Sequence, residues 1–401
     1  MTARGVVSRP RYAEPMGFWD EIVGQPSAVQ ALERAASPEA GGELSHAWLI
    51  TGPPGSGRSN LALRFAAALI ARESADREAV WQQVRARTHP DLAVLTTQKL
   101  LITIDEAREI VTTAHFAPAE GRHRVIVIED ADRMPERTSN VLLKALEEPP
   151  ERPVWVLCAP SEADLLPTIR SRARSVKLVT PSVPDVARLL HDRDGIDEAV
   201  AERAARLAQS HIGMARRLAL EPEALARRQQ SIEIALDVDT LGDAMRAAAA
   251  LLKVAEADAK AFTERLDTTE RDEAMRNLGL APGAAIPPKL RAQIRTMEED
   301  QERRAKRSLR DGIDRILTDL LSLYRDVLLT ALGAAIELVN VEQGDRIVRL
   351  AEQWGAERAL EAVTMVEEAR ERLARAVTPG LVLEAFFAGI ARQGAERVLP
   401  R

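Results

Sequence analysis

The sequence predicts an α/β fold in its first half, with a parallel sheet covered by helices on both faces, followed by helices alone. Two observations carry this prediction. Short runs rich in valine, isoleucine and leucine alternate with amphipathic segments, which is typical of buried parallel strands and their crossover helices. The strand pattern then stops after Pro181 and Pro184, and the rest of the chain has helical periodicity. The five predicted strands span residues 46–50, 91–95, 124–128, 154–158 and 175–179.

Several helix signals add to this outline. The run NLALRFAAALIAR, residues 60–72, predicts an amphipathic helix, and Thr103 with Glu106 three residues later has the spacing of a capping box. Residues 278–289, LGLAPGAAIPPK, interrupt the helical second half. The next segment, residues 290–329, fits one long helix or two in succession. Acidic residues interrupt its basic ones, which favours a solvated face with ion pairs one turn apart over a nucleic-acid-binding stripe.

Composition and charge limit the classes of function. The chain has 401 residues, enough for two or three domains, and a net charge of −6, which excludes a surface that is basic throughout. Its single cysteine, Cys158, excludes an internal disulfide and a cysteine-rich zinc site. No run of about 18 apolar residues is present, and residues 1–16 lack the apolar core of a signal peptide. We therefore expect a cytoplasmic protein with a disordered extension over residues 1–16.

A glycine-rich stretch after the first strand, GPPGSGRSN at residues 52–60, predicts a phosphate-binding loop. In a strand–turn–helix context, backbone N–H groups curl around a phosphate and the helix adds its positive end. Arg58 stands where this motif usually has lysine, and Ser59 supplies the hydroxyl that would hold Mg²⁺. Arginine is a longer, planar cation, so nucleotide binding is expected to survive better than fast phosphoryl transfer. The residues predicted to bind ATP or ADP here are Gly52, Pro53, Pro54, Gly55, Ser56, Gly57, Arg58 and Ser59.

A second nucleotide-site motif is altered as well. An apolar strand in such sites ends in Asp-Glu, the first acid for magnesium and the second to orient water. RVIVIEDADRM instead ends its strand with Glu129 and then Asp130. Each acid differs from the expected one by a methylene, and a misplacement of about 1 Å can lower a rate roughly a hundredfold. We predict a magnesium site at Ser59, Glu129 and Asp130 that is vestigial or weak.

The stretch from residue 134 to 176 resembles the clamp-loader subunits of bacteria, which belong to the AAA+ class. NVLLKALEEPP looks like their N-x-LLK-x-LEEPP helix, and LLPTIRSRA looks like their segment ending in Ser-Arg-Cys. The likeness is strong over about residues 17–220 and weak in the C-terminal helices. It implies a RecA-like AAA+ sheet domain, a small helical lid domain and an all-α collar domain. The implied boundaries are 1–16 for the extension, 17–180 for the sheet domain, 181–221 for the lid and 222–401 for the collar.

The resemblance also implies roles for particular residues. Arg172, in TIRSRA, would project into the nucleotide site of a neighbouring subunit as an arginine finger. Arg216, in HIGMARRLAL, would be the second-sensor arginine that contacts phosphates. Ala159 and Pro160 stand where a threonine would sense the γ-phosphate. Residues 71–91 contain no cysteine where related motor subunits carry a zinc module, so no zinc is expected.

Three functions remain open from the sequence. The first is a non-motor clamp-loader subunit that supports ATP-driven loading of a sliding clamp on primed DNA and has little ATPase activity of its own. The second is an ATP-hydrolysing motor subunit of the same assembly, and the third is a stand-alone AAA+ module associated with DNA. The first implies the other clamp-loader subunits, the clamp and primer–template DNA as partners, and no membrane. Arg58, the Glu129–Asp130 order and Ala159–Pro160 favour the first over the second.

Overall fold

The computed structural model describes residues 17–37, 44–97, 101–148, 152–277, 291–375 and 377–395. The predicted extension, residues 1–16, and the predicted interruption, residues 278–289, lie outside these ranges. The chain divides into two compact units, one ending at Arg216 and one beginning at Arg217. The finer separation of residues 181–221 as a lid domain stays a prediction.

The first unit is built on a five-stranded parallel sheet, as predicted. Its strands are β1 (Ala47–Thr51), β2 (Leu92–Leu95), β3 (Arg124–Ile128), β4 (Pro153–Ala159) and β5 (Arg174–Lys177). They lie in the order β2-β3-β4-β1-β5, and every neighbouring pair is parallel. Because β4 lies between β3 and β1, the chain segments that follow these three strands emerge at one edge of the sheet.

Helices cover both faces of this sheet, because alternate residues of each strand point to opposite sides. Trp48 and Ile50 of β1 pack into one apolar cluster with Phe65, whereas Leu49 packs into the other with Leu142. The helices are α1 (Pro26–Ala36), α2 (Arg58–Ile70), α3 (Arg77–Arg85), α4 (Ile104–Ala114), α5 (Glu136–Glu147) and α6 (Pro167–Arg170).

The predicted capping box begins α4. The Thr103 hydroxyl accepts a hydrogen bond from the Glu106 N–H at 3.3 Å, and the Glu106 carboxylate accepts one from the Thr103 N–H at 2.7 Å. Three further helices follow β5: α7 (Val183–Asp194), α8 (Glu198–Leu207) and α9 (Ile212–Leu220).

The second unit consists, in its described part, of helices around one core. They are α10 (Pro222–Leu236), α11 (Leu241–Asn277), α12 (Arg291–Ala331), α13 (Gly344–Ala374) and α14 (Pro379–Ala395). The segment that fitted one helix or two is thus the single helix α12, and Arg295 pairs with Glu299 one turn along it at 3.1 Å. In the core, the Tyr324 ring stacks on Trp354 at 5.7 Å. Within the described ranges, no helix is both long and apolar enough to cross a membrane.

Candidate functional site

The glycine-rich loop connects the end of β1 to the start of α2 and closes back on the sheet. Its first N–H, that of Gly52, is shared between the carbonyl oxygens of Ala159 (3.3 Å) and Pro160 (3.2 Å), just past β4. Gly55 and Gly57 have φ angles of 81° and 90°, a left-handed backbone that glycine adopts without strain. The loop therefore curls at the N-terminal end of a 13-residue helix, where backbone N–H groups and the helix dipole favour an anion.

Two side chains of the loop bear on whether it fits a phosphate. The Ser56 hydroxyl is buried and has no hydrogen-bonding partner among the described residues. The Arg58 side chain folds back over the loop, where its Nη1 donates to the Gly52 carbonyl oxygen at 2.7 Å. Ser59, which is exposed, lies in the first turn of α2. A buried hydroxyl without a partner, a cation and a helix N-terminus at one turn fit a phosphate group.

Glu129, the first acid after β3, is bonded to partners that the sequence analysis did not foresee. Arg87 Nη2 lies 3.1 Å from each oxygen of the Glu129 carboxylate, and the Thr96 hydroxyl donates to Oε2 at 2.6 Å. Glu129 is only 8% exposed. Mg²⁺ binds through carboxylate lone pairs in strict octahedral geometry. Three hydrogen bonds from a guanidinium and a hydroxyl already occupy most of the roughly four lone-pair positions of this carboxylate, so a metal ion would compete with Arg87 and Thr96 for it.

The other acids near the loop differ from Glu129 in their surroundings. Asp130 has a left-handed backbone, with φ of 53°, and its Oδ2 lies 3.7 Å from Arg133 Nε. Burial, and after it the charge of Asp130, raises the pKa of the Asp132 carboxyl above its usual value. Throughout the ranges that the structure describes, no group of three or more His, Cys, Asp or Glu side chains is placed to hold a metal ion.

Cys158 lies in β4 behind this edge of the sheet, opposite Ile50 of β1. Burial raises the pKa of its thiol to about 12, and the nearby Glu129 carboxylate acts in the same direction. The segment 158–161, CAPS, lies beside the loop, and a role of this segment at a γ-phosphate stays a prediction. It contacts the loop through the Ala159 and Pro160 carbonyl oxygens.

The chain before α9 contacts the glycine-rich loop directly. The Ile212 N–H donates to the Gly55 carbonyl oxygen at 3.2 Å. The His211 ring leaves no room for a side chain at residue 55, because a Cβ there would lie 2.2 Å from its Cγ. His211 Nδ1 also accepts from the Met214 N–H at 3.2 Å. No sequence pattern predicted the contact of His211 with the loop, since a histidine just before a helix carries no distinctive signal.

Arg216, in α9, forms an ion pair with an acidic residue of α7. Its Nε donates to Asp194 Oδ1, at the end of α7, at 3.1 Å, and the arginine is 53% exposed. Burial opposes ionisation of Asp194, but hydrogen bonds from Arg193 and Arg216 lower the pKa of this carboxyl below its usual value. A contact of Arg216 with nucleotide phosphates stays a prediction.

Arg172 lies between α6 and β5. It belongs to the motif LLPTIRSRA and contacts Glu147 of the motif NVLLKALEEPP. Its Nη2 is 2.7 Å from Glu147 Oε1, at the end of α5, and its Nη1 donates to the Thr168 carbonyl oxygen at 2.8 Å. The side chain of Arg172 is 34% exposed and that of Glu147 is 47% exposed. The guanidinium is thus oriented by groups of the same chain and remains partly exposed.

A parallel sheet in the order β2-β3-β4-β1-β5, with a glycine-rich loop after β1 and a helical segment on that loop, has the fold of the AAA+ class. Residues 24–182 match the family described as DNA polymerase III, delta subunit, and residues 307–390 match its C-terminal counterpart. The chain belongs to the clamp-loader subunit family of DNA polymerase III.

Individual relatives are more distant. The chain is 33% identical to DNA polymerase III subunit delta′ of Pseudomonas aeruginosa over 153 residues, 36% of this chain and 47% of that protein. It is 28% identical to DNA polymerase III subunit gamma of Buchnera aphidicola over 181 residues, 44% of this chain and 48% of that protein. The matches thus span about half the length of these relatives. A crystal structure of a DNA polymerase III gamma subunit-related protein from Thermotoga maritima aligns with a TM-score of 0.44 and 16% identity, covering 92% of this chain and 99% of that one.

Proposed function

We propose that this chain is the delta-prime-type, non-motor subunit of a clamp loader. Its partners would be the gamma/tau and delta subunits, and the assembly would load a sliding clamp on primer–template DNA. The observation that carries the non-motor role is the bonding of Glu129 to Arg87 and Thr96. A carboxylate engaged in this way contributes little to magnesium-assisted transfer at its own loop, and Arg58 in place of lysine adds a second departure from a motor.

The proposed contribution of this subunit to ATP hydrolysis is Arg172. A guanidinium is always protonated and can bond two phosphate oxygens at once, which suits charge that develops on a transferring γ-phosphoryl group. The ion pair with Glu147 is partly exposed, and such pairs contribute at most about 1 kcal/mol, so exchanging the carboxylate for a phosphate costs little. In the assembly, Arg172 would act on ATP bound by an adjacent motor subunit.

The remaining parts of the chain take supporting roles in this proposal. Residues 181–221 would form the lid, in which Arg216 holds α9 to α7 through Asp194. Residues 222–401 would form the collar that packs beside the collars of other subunits. DNA would be contacted through its phosphates, within the assembled complex.

The test is ATP hydrolysis by the purified chain and by the clamp loader reconstituted with gamma/tau and delta subunits. The chain alone should hydrolyse ATP negligibly. In the complex, Arg172→Ala should slow hydrolysis at the interface it serves roughly a thousandfold or more, as for other arginine fingers. Arg170→Ala, in the same segment and exposed, is the matched control and should leave the rate unchanged.

Other outcomes would favour the alternatives. DNA-stimulated turnover by the chain alone, lost in Gly57→Val, would identify a motor subunit. Gel filtration that shows no association with gamma/tau would favour a stand-alone AAA+ module. A complex with Arg172→Ala that hydrolyses ATP and loads clamps like the unmodified complex contradicts the finger role.

A further inference from the structure

The cluster of Glu129, Arg87 and Thr96 is the feature of the candidate site that sequence patterns leave unexplained. We propose that the Arg87 guanidinium takes the place of a divalent cation beside Glu129, so that the glycine-rich loop binds a nucleoside di- or triphosphate without Mg²⁺. This inference rests on the nucleotide-binding part of the proposed function and extends it to the ion requirement of the site.

Three hydrogen bonds occupy most of the roughly four lone-pair positions of the Glu129 carboxylate. Arg87 Nη2 is equidistant, at 3.1 Å, from the two carboxylate oxygens, and Arg87 Nη1 donates to the Thr96 hydroxyl at 3.1 Å. That hydroxyl in turn donates to Oε2 at 2.6 Å. One positive charge thus balances one negative charge at a nearly buried carboxylate. A metal ion that bound there would first have to displace the guanidinium and shed part of its own tightly held water.

The partners of Glu129 in the cluster lie on its β2 side, which is the side away from the loop. Arg87 precedes β2 and Thr96 follows it, and the Glu129 N–H donates to the Leu95 carbonyl oxygen at the end of β2. β2 is the edge strand next to β3, whereas the loop follows β1, on the far side of β4. The carboxylate is therefore held from the β2 side.

The backbone conformation at Arg87 is specified by the end of α3. Arg87 has a φ of 57°, a left-handed conformation that few non-glycine residues adopt. Arg87 follows the C-cap of α3 in a Schellman-type helix ending, in which the Thr88 N–H donates to the Gln83 carbonyl oxygen and the Arg87 N–H to the Val84 carbonyl oxygen, both at 2.9 Å. This helix ending is thus formed at the residue that supplies the guanidinium.

The loop carries its own means of compensating phosphate charge. Arg58 is a forked cation one residue after Gly57, and the N-terminal end of α2 adds a favourable dipole. Ser56 is only 2% exposed, and its hydroxyl has no hydrogen-bonding partner among the described residues. It lies inside the turn, because a Cβ on Gly52 would be 2.9 Å from its Oγ. Arg58, the N-terminal end of α2 and the Ser56 hydroxyl can thus balance the negative charge of a phosphate at this loop.

The experiment is titration of the full-length protein with fluorescent ADP and ATP analogues, in Mg²⁺ and in EDTA. For the unmodified protein, the two dissociation constants should agree within about twofold. For Arg87→Asn, which removes the guanidinium while tolerating a left-handed backbone, Mg²⁺ should tighten binding at least about tenfold. Glu129→Gln in the Arg87→Asn background should abolish that response. Arg85→Asn, two residues earlier on an exposed side chain, is the control and should behave like the unmodified protein.

Two results with the unmodified protein overturn the inference. One is a nucleotide dissociation constant at least about tenfold higher in EDTA than in Mg²⁺, and the other is no nucleotide binding in either condition. Neither result depends on the folding of a variant. The inference is also overturned if folded Arg87→Asn binds nucleotide equally with and without Mg²⁺. These results leave the role of Arg172 untouched, since that role is read from hydrolysis in the reconstituted complex. Conversely, a complex indifferent to Arg172→Ala would leave the ion requirement of the loop as proposed.

Discussion

Arg172 and Glu147 form an ion pair of 2.7 Å between Nη2 and Oε1, which links the segment after α6 to the end of α5. The pair joins two stretches that are far apart in the sequence yet both typical of clamp-loader subunits. It orients the guanidinium without burying it. A cation that is held loosely by a carboxylate, and that is a third exposed, is suited to exchange that carboxylate for an anion of another molecule.

The first prediction separates this role from a structural one by breaking the ion pair from each side. Glu147→Gln and Arg172→Ala should each change the free energy of unfolding by less than about 1 kcal/mol, because the pair is partly exposed. Only Arg172→Ala should slow ATP hydrolysis by the reconstituted complex, since only it removes the guanidinium. Steady-state ATPase assays beside chemical denaturation provide the comparison. Equal losses of activity in the two variants would assign the effect to the ion pair itself.

Sequence patterns predicted most of the fold because buried strands and helix caps have local signals. The predicted strand at 124–128 is β3 to the residue, and the capping box at Thr103 begins α4. The choice between one and two helices after residue 290 could not be made from periodicity. In the structure Gly312 lies inside α12, where a Cβ would meet the Ala255 side chain at an ordinary 3.6 Å.

The candidate site was predicted less completely, for a physical reason. The loop residues follow from their spacing, whereas the partners of Glu129 come from Arg87 and Thr96, 42 and 33 residues earlier in the chain. The contact of His211 with Gly55 likewise depends on the packing of a later helical segment. Such contacts arise from how elements meet in three dimensions, and no local pattern in the sequence encodes them.

The second prediction concerns Cys158, which is the single cysteine of the chain. Because burial raises its pKa to about 12, only about one thiol in ten thousand is ionised at pH 8, and the thiolate is the reactive form. The folded protein should therefore resist Ellman's reagent and react stoichiometrically in urea. Ala163→Cys, which adds an exposed thiol, is the positive control and should react at once with one equivalent. Rapid labelling of the unmodified folded protein would contradict the described burial.

The third prediction concerns Asp91, a fully buried carboxylate at the start of β2. It accepts hydrogen bonds from the backbone N–H groups of Ala119, Glu120 and Gly121 at 2.5, 2.8 and 2.6 Å. Asp91→Asn removes the charge and turns one acceptor into a donor that faces other donors. We expect the free energy of unfolding at pH 7 to fall by about 2–4 kcal/mol. Denaturation followed by tryptophan fluorescence measures it, with exposed Asp105→Asn as the control, expected within about 0.5 kcal/mol of the unmodified protein.

The same carboxylate should make stability depend on pH. Burial alone would raise the pKa of Asp91, but the three backbone hydrogen bonds, aided by His89, outweigh it and lower the pKa below its usual value. A carboxyl with a depressed pKa in the folded state contributes its stability above the unfolded pKa of about 3.9 and loses it as pH falls through the folded value. The gap in unfolding free energy between the unmodified protein and Asp91→Asn should therefore shrink below about pH 4. A gap that stays constant down to pH 2.5, roughly, would contradict this assignment.

The fourth prediction tests the contact between His211 and the phosphate loop. Gly55 and Gly195 both have a left-handed backbone, with φ of 81° and 68°. A Cβ at Gly55 would lie 2.2 Å from the His211 ring, whereas a Cβ at Gly195 has nothing within 4 Å. Alanine at either site should cost about 1–2 kcal/mol of backbone strain. Only Gly55→Ala should lower the free energy of unfolding by about 1–3 kcal/mol more, because its methyl group would clash with the His211 ring.

A double-mutant cycle isolates that steric part. In a His211→Ala background, Gly55→Ala should cost about as much as Gly195→Ala does in the unmodified protein, because the backbone strain remains and the clash is gone. The coupling between residues 55 and 211 should then be at least about 1 kcal/mol, well above the roughly 0.5 kcal/mol expected of independent sites. Denaturant titrations of the unmodified protein and of the four variants measure it. Additive effects of Gly55→Ala and His211→Ala would mean that the histidine does not pack on the loop in solution. Coupling of the expected size would identify His211 as the side chain through which the segment before α9 is held against the nucleotide site.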